Sequence, residues 1–477
     1  IGTTGDYGRF TNLQIFDPLV QNYPDGQPNT EGRAVAESYE VSEDGLTYTF
    51  EIKEGIQFHN GEELTAEDVA FTFHAIMGKA EEKHGVTGVP ESVMKMHTTE
   101  ISSVEATDDY TLEIQMDEVY AELLEGEFVQ DFSVIPKDYI VENGYENYQD
   151  ELIGSGPFKF KEYSPGDQIV LEKFEDYRLD VNAEKLILHF YDDQSSAVTD
   201  LRAGNIHAVH PIDTTHYQDL KGEENIKSKA YHHPGAVNIK FNHKMEGPLQ
   251  DVKVRKAFAY AVDSQEVIDF KRKELAINSR YLYEPGHPAY PENANQYEQN
   301  ITKAKELLDE AGYPDGVELT IHTNPGDRTD EMTLVSEQVA EAGIDLEVQS
   351  VEWGTFVEMM QAGETEMNYH HLTAGPSGFD KMTYYMNTSE KNFWGNFYND
   401  SQFNDMMEDA MKTIDYEDRM EKYKEIQKYL IEDNMAVYVV GFTQQPIVYH
   451  ESVTIPEEAF TSYMYDGPYY KTHLWEL

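Results

Sequence analysis

The chain has 477 residues, in which 36 Lys and Arg stand against 90 Asp and Glu, a formal charge of −54 with histidine neutral. That balance, with an isoelectric point near 4.5, excludes a surface built for nucleic-acid backbones or anionic lipid, both of which need a large positive field. No run approaches the roughly 18 apolar residues that span a bilayer, and the absence of cysteine excludes disulfides, thiolate metal sites and a cysteine nucleophile without identifying a compartment.

Apolar residues make up 39% and aromatics 12% of the chain and recur with regular periods, so it is no disordered polyelectrolyte, and its length suits two or three domains. The carboxylates have no single focus and read as adaptation of the whole surface to salt, where their repulsion is screened. The chain begins at Ile1 without methionine or a signal segment, compatible with a trimmed mature protein or an incomplete sequence.

In chain order, Leu46, Tyr48, Phe50 and Ile52 alternate with polar residues and predict a strand with one dry face. Ile56 and Phe58 suggest a second short strand ending at His59-Asn60-Gly61. Thr65 and Asp68 form a capping box for a helix with an apolar stripe of Val69, Phe73, Ile76 and Met77. His74 lies beside that stripe with no second imidazole at ligand spacing, and reads as a partly buried structural histidine. Tyr110, Leu112 and Ile114 predict another strand. At Gly154-Ser155-Gly156-Pro157 the chain turns tightly into a strand through Phe158 and Phe160. A phosphate loop is disfavoured there, because neither Lys-Ser/Thr nor G-x-G-x-x-G follows.

Strands at 186–190 and 206–209 bracket a helix at 194–201, which is α/β grammar. A strand at 237–241 precedes a helix at 251–262. The segment Tyr281 to Tyr290 holds Pro285, Gly286 and Pro288 among tyrosines and cannot be an ordinary helix; a pocket-lining loop and a packing loop fit it equally. Helices ending at Gly312 and Gly343 each close one helix-strand unit. Helices at 402–412 and 416–430 carry core stripes, strands follow at 436–440 and 446–449, and the aromatic tail 460–475 is expected to pack back onto an earlier domain.

No catalytic centre emerges. There is no G-x-S-x-G elbow, H-E-x-x-H or EF-hand loop, and random carboxylate pairs in so acidic a chain prove little. His232-His233 and His370-His371 are adjacent pairs, whose members point to opposite faces of a strand and cannot readily serve one metal. No cofactor, metal site or enzymatic activity is expected, and mixed α/β units with aromatic loops suit a concave binding site between domains.

Several blocks in order resemble the extracellular solute-binding proteins of family five in bacterial ABC importers, the oligopeptide, dipeptide and nickel-chelate binding class. They are Ala34 to Val41, Asp44 to Phe50, Gly55 to Val69, Gly154 to Phe160, Phe241-Asn242 with Asp251 to Phe258, Ala304 to Pro314, and Asp405 to Ala410 after Phe403. The resemblance implies a bilobal periplasmic-binding-protein-like α/β fold, class II and cluster C type, with paired crossovers and an extra subdomain inserted in lobe one. It maps residues 1–30, 150–238 and 443–477 to lobe one, 31–149 to the insertion and 239–442 to lobe two. It also implies an extracytoplasmic location, periplasmic or lipid-anchored, capture of a small solute between the lobes, and delivery to a membrane permease by a monomer.

On that resemblance the solute is expected to be an oligopeptide or dipeptide. The alternatives are a metal chelate, a cationic small molecule or an oligosaccharide, and, in another class, a nontransport cell-surface interaction protein. Ligand contacts are expected from Tyr369, His370, His371, Phe379 and Asp380, from Asn392 and Trp394, and from Tyr281 and Tyr283, since rings with a polar edge suit an amphipathic solute. Arg280 joins them as a fork for a ligand carboxylate, with a surface salt bridge as the plain alternative. One departure stands out. Where peptide binders place an aspartate for the peptide ammonium, this chain has Gly375, and Asp380 substitutes only after a loop shift.

Overall fold

The computed structural model describes residues 6–23, 26–125, 132–231, 235–292, 297–372, 381–385, 395–460 and 467–477. The chain divides into two compact units, residues 1–232 with 446–477, and residues 233–445. The crossings therefore fall at 232/233 and 445/446, a few residues outside the 239–442 span expected for lobe two. The strand Ala236–Phe241 is wholly paired within the second unit's sheet, so the crossing precedes it.

In the first unit, Ala36–Val41, Thr47–Ile52, Thr111–Met116 and Ile101–Ala106 form an antiparallel four-stranded sheet in that order. Tyr48, Phe50 and Ile52 are its buried face, as the alternation required. The expected strand at Ile56 and Phe58 is reduced to one bridge between Gln57 and Glu63. The helix Ala66–Ile76 begins with the Thr65–Asp68 capping box. It is buried on all sides and not along one stripe, because it packs between that sheet and the helix Lys137–Asn143. Asp68 joins these pieces: it accepts from Thr65 N (2.9 Å) and Lys137 N (2.8 Å).

Gly154 and Gly156 are explained by close approach. A Cβ on Gly154 would lie 2.1 Å from the Ile15 carbonyl oxygen, and one on Gly156 2.7 Å from that of Gln14. The Gly156 amide donates to Ile15 O at 2.8 Å, so it serves packing and not an anion. Nearby, buried Asp17 accepts from Arg33 Nε (3.0 Å), Tyr177 Oη (3.0 Å) and Arg178 Nη1, tying three distant stretches of chain together. The tail packs back as expected, with Phe460 and Tyr469 in a cluster with Phe10, Tyr231 and Ile447, against which Trp475 also lies.

The second unit is built on a six-stranded sheet in the order Ala276–Ile277, Val437–Thr443, Ala236–Phe241, Met367–Leu372, Val317–Thr323, Ile344–Ser350. The last three run parallel to one another, while Ala236–Phe241 is antiparallel to both of its neighbours. Four carboxyl ends, those of Val317–Thr323, Ile344–Ser350, Met367–Leu372 and Val437–Thr443, thus share one edge with the start of Ala236–Phe241. The chain enters and leaves the unit at that edge, on adjacent strands. In open α/β sheets the carboxyl edge is where ligands collect.

Candidate functional site

The two central strands of the second unit divide its polar residues between opposite faces. Asn238 lies directly across from His370, Lys240 from Asn368, and His322 of the next strand from Asn368. Strand alternation puts all five side chains on one face. Asn238, Lys240 and Asn368 are 0% exposed and His370 1%. Among the described residues, neither amide atom of Asn238 or of Asn368 has a hydrogen-bond partner. An unsatisfied buried amide costs about 1–3 kcal/mol, so two of them at diagonal positions on paired strands are an expensive way to build a core.

The surroundings are tight and aromatic. Lys240 Nζ lies 5.9 Å from the Tyr385 ring centre, and burial holds its ammonium well below the usual lysine range. His370 meets Phe356 edge to face at 6.3 Å. A Cβ on Gly395, whose φ is +69°, would come within 2.8 Å of Asn368 Nδ2, so only glycine lets the chain pass there. At the carboxyl edge nearby, Trp353 opens the helix Trp353–Ala362 and is 46% exposed.

Tyr369 faces the other way. Its hydroxyl donates to Glu331 at 2.5 Å, and Glu331 is paired with Arg272, all three buried. Tyr369 and His370 are neighbours in sequence yet on opposite sides of the sheet, so one site cannot use both side chains directly.

The other candidates separate in the same manner. Tyr281 is fully buried with its hydroxyl on Glu432 (2.6 Å). Tyr283 stacks on His287 at 4.2 Å, and Lys381 Nζ lies 5.1 Å from the Tyr283 ring centre. The amides of Leu282 and Tyr283 donate to Gln427 Oε1. Arg280 is 5% exposed, and its Nη1 donates to the carbonyls of Ser279 and Val440, both at 2.7 Å. It is therefore buried against backbone carbonyls and is not in a surface salt bridge. The 281–290 segment is a packing loop around these groups. The side chain of His371, and all of Phe379, Asp380, Asn392 and Trp394, lie outside the described residues; the His371 backbone pairs with Val237.

A recess of about 250 Å³ between the helices Ser401–Met411 and Tyr416–Gln427 is lined by Met406, Asp409, Glu421, Lys422, Glu425 and Ile426. Its Lys422 is engaged by Asp409 (2.6 Å) and Thr413 (2.7 Å), which leaves no convergent unpaired group there.

Sequence reasoning missed Asn238, Lys240 and Asn368, which look like ordinary strand residues until two segments 130 positions apart are paired. The reading of His74 as lacking an imidazole partner is also corrected: its Nδ1 lies 2.9 Å from His84 Nε2. The partner comes from the next helix, where no helical spacing could indicate it.

Oligopeptide-binding protein AppA of Bacillus subtilis is 29% identical over 440 residues, covering 84% of this chain and 76% of that protein. Heme-binding protein A of Haemophilus influenzae is 26% identical over 465 residues, covering 91% and 83%. Among solved structures, the ABC transporter-associated periplasmic binding protein DppA of Helicobacter pylori, in complex with the peptide STSA, superposes with a TM-score of 0.80 at 24% identity, covering 98% of this chain and 94% of that one. That likeness identifies the bilobal α/β periplasmic-binding-protein fold. The family model for bacterial extracellular solute-binding proteins, family 5 (middle region), matches residues 32–394, and the chain belongs to that family.

Proposed function

We propose that the solute captured by this protein is a peptide, held against the polar face formed by Asn238, Lys240, Asn368 and His370. Family membership makes the chain an extracytoplasmic substrate-binding component of an ABC importer, a binding protein and not an enzyme. The relative named for oligopeptides and the structural neighbour holding STSA favour a peptide.

The observation that carries the reading is the pair of buried amides on one sheet face that have no hydrogen-bond partner among the described residues. A carboxamide offers both a donor and an acceptor, the complement of a peptide bond, and a site built to hydrogen-bond its ligand leaves those groups unpaired without it. His371, Phe379, Asp380, Asn392 and Trp394, expected as contacts on the family resemblance, are further ligand contacts in this proposal, with exposed Trp353 as an apolar platform. Tyr369 anchors the opposite side of the same strand through Glu331, and Arg280, Tyr281 and Tyr283 fix the 281–290 segment.

Mass spectrometry of material released from the freshly purified protein, followed by calorimetric titration with short peptides, tests the assignment. Release of peptides and saturable peptide binding are expected. Release of haem or a metal chelate, with no heat from any peptide, would replace it.

A further inference from the structure

We infer that His74 and His84 form a second, independent site: a cis pair of imidazole nitrogens for a divalent copper or nickel ion. His74 is on the helix Ala66–Ile76 and His84 ends the short helix Ala80–His84, with Gly78 (φ +75°) reversing the chain between them. The turn brings His74 Nδ1 to 2.9 Å from His84 Nε2, with ring centres 5.1 Å apart and planes inclined at 42°. His84 is further fixed edge-on against Phe71 at 4.9 Å.

The separation selects the geometry. Two nitrogens at about 2.0–2.1 Å from a metal and at right angles to each other are about 2.9 Å apart, whereas a tetrahedral ion sets them at about 3.3 Å. The pair therefore matches adjacent corners of a square-planar or tetragonal ion, the preference of copper(II) and nickel(II), better than it matches zinc.

Without metal, one ring must donate its N–H to the other. The shared proton lies between His74 Nδ1 and His84 Nε2, and either neutral ring can be the donor. On binding, the proton on the facing nitrogen of the donor ring passes through water to the other nitrogen of the same ring. Both rings stay neutral, both facing nitrogens present lone pairs, and no net proton is released.

His74 is 8% exposed and His84 half-buried, so the ion enters from the His84 side. Local charge is balanced, Lys79 and Lys83 against Glu81 and Glu82, and the net −54 of the chain enriches cations near its surface. Among the described residues no third imidazole or carboxylate completes a cluster, so the remaining positions belong to water.

The test is equilibrium dialysis of the full chain with copper(II) against glycine as competing chelator, with electron paramagnetic resonance, on the native protein, His84→Gln and His74→Gln. The chain has 17 histidines, so the difference between proteins isolates this pair. The native protein is expected to hold one more equivalent than His84→Gln and to show a two-nitrogen copper spectrum that both variants lose, with zinc bound at least tenfold more weakly. Equal stoichiometry and an unchanged spectrum in His84→Gln would overturn the site, and zinc binding as tight as copper would overturn the cis geometry. Should His74→Gln fail to fold, the half-exposed His84→Gln, checked for native thermal stability, decides alone.

Discussion

Replacing Asn238 by leucine is expected to stabilise the protein while impairing binding. The side chain is fully buried, lies across from His370 and Val439, and has neither amide atom paired among the described residues. Leucine has nearly the same shape and nothing to leave unsatisfied. Removing the desolvation cost of an unpaired amide returns about 1–3 kcal/mol, and for a unit of this size each kcal/mol moves the melting temperature by about 2–4 °C. A rise of about 2–12 °C in the transition of the second unit is therefore expected by scanning calorimetry, with peptide titration run on the same sample. Asn368→Leu is expected to follow the same trend with a smaller gain, because Gly395 passes so close to Asn368 Nδ2. A fall in stability for Asn238→Leu would show that the amide is satisfied in the folded protein, and the reasoning that the polar face exists for a ligand would fail.

Gly154→Ala is expected to lower stability by roughly 2 kcal/mol or more, since its Cβ would collide with the Ile15 carbonyl at 2.1 Å; an unchanged urea midpoint would contradict the packing described. Tyr369→Phe removes one donor from buried Glu331 and is expected to cost about 1–2 kcal/mol in urea unfolding, an effect that should shrink when Glu331 is already Gln, whose neutral oxygen accepts more weakly; an unchanged urea midpoint in Tyr369→Phe would contradict the bond. Burial, then the charge of Arg33, pushes the His473 imidazole down to about 3. The unfolded chain therefore takes up a proton near pH 6.5 that the folded one refuses, so this contribution is full above pH 6.5 and fades as pH falls toward 3, by about 1.4 kcal/mol per pH unit. His473→Gln should flatten that slope by one proton's worth, and identical slopes would exclude His473 as its source. Thermal stability is expected to rise from dilute buffer to molar potassium chloride as the charge of −54 is screened; a flat or falling curve would reject salt adaptation of the surface.

Local chemistry was the legible part of the sequence. The Thr65–Asp68 capping box, the alternation through Tyr48, Phe50 and Ile52, and the stops at Gly312 and Gly343 each depend on a few neighbouring residues, and each produced the element expected. Gly154 and Gly156 marked a constrained turn, but the reason, the Ile15 backbone, lies some 140 positions away. The 281–290 segment was recognisable as a loop, whereas its burial depends on Gln427 and Glu432 arriving from a later helix region. The polar face was hidden for the same reason. Asn238 and Lys240 gain meaning only when paired with His370 and Asn368, and the alternation that places Tyr369 on the far side also separates residues that adjacency had grouped.

The central claim is that a peptide is held on that face. Calorimetric titration of short peptides into the native chain and into an Asn238→Leu/Asn368→Leu double variant tests it most directly. Saturable binding to the native chain, weakened at least tenfold in a variant that remains folded, is the expected result; equal affinity for both proteins would contradict it.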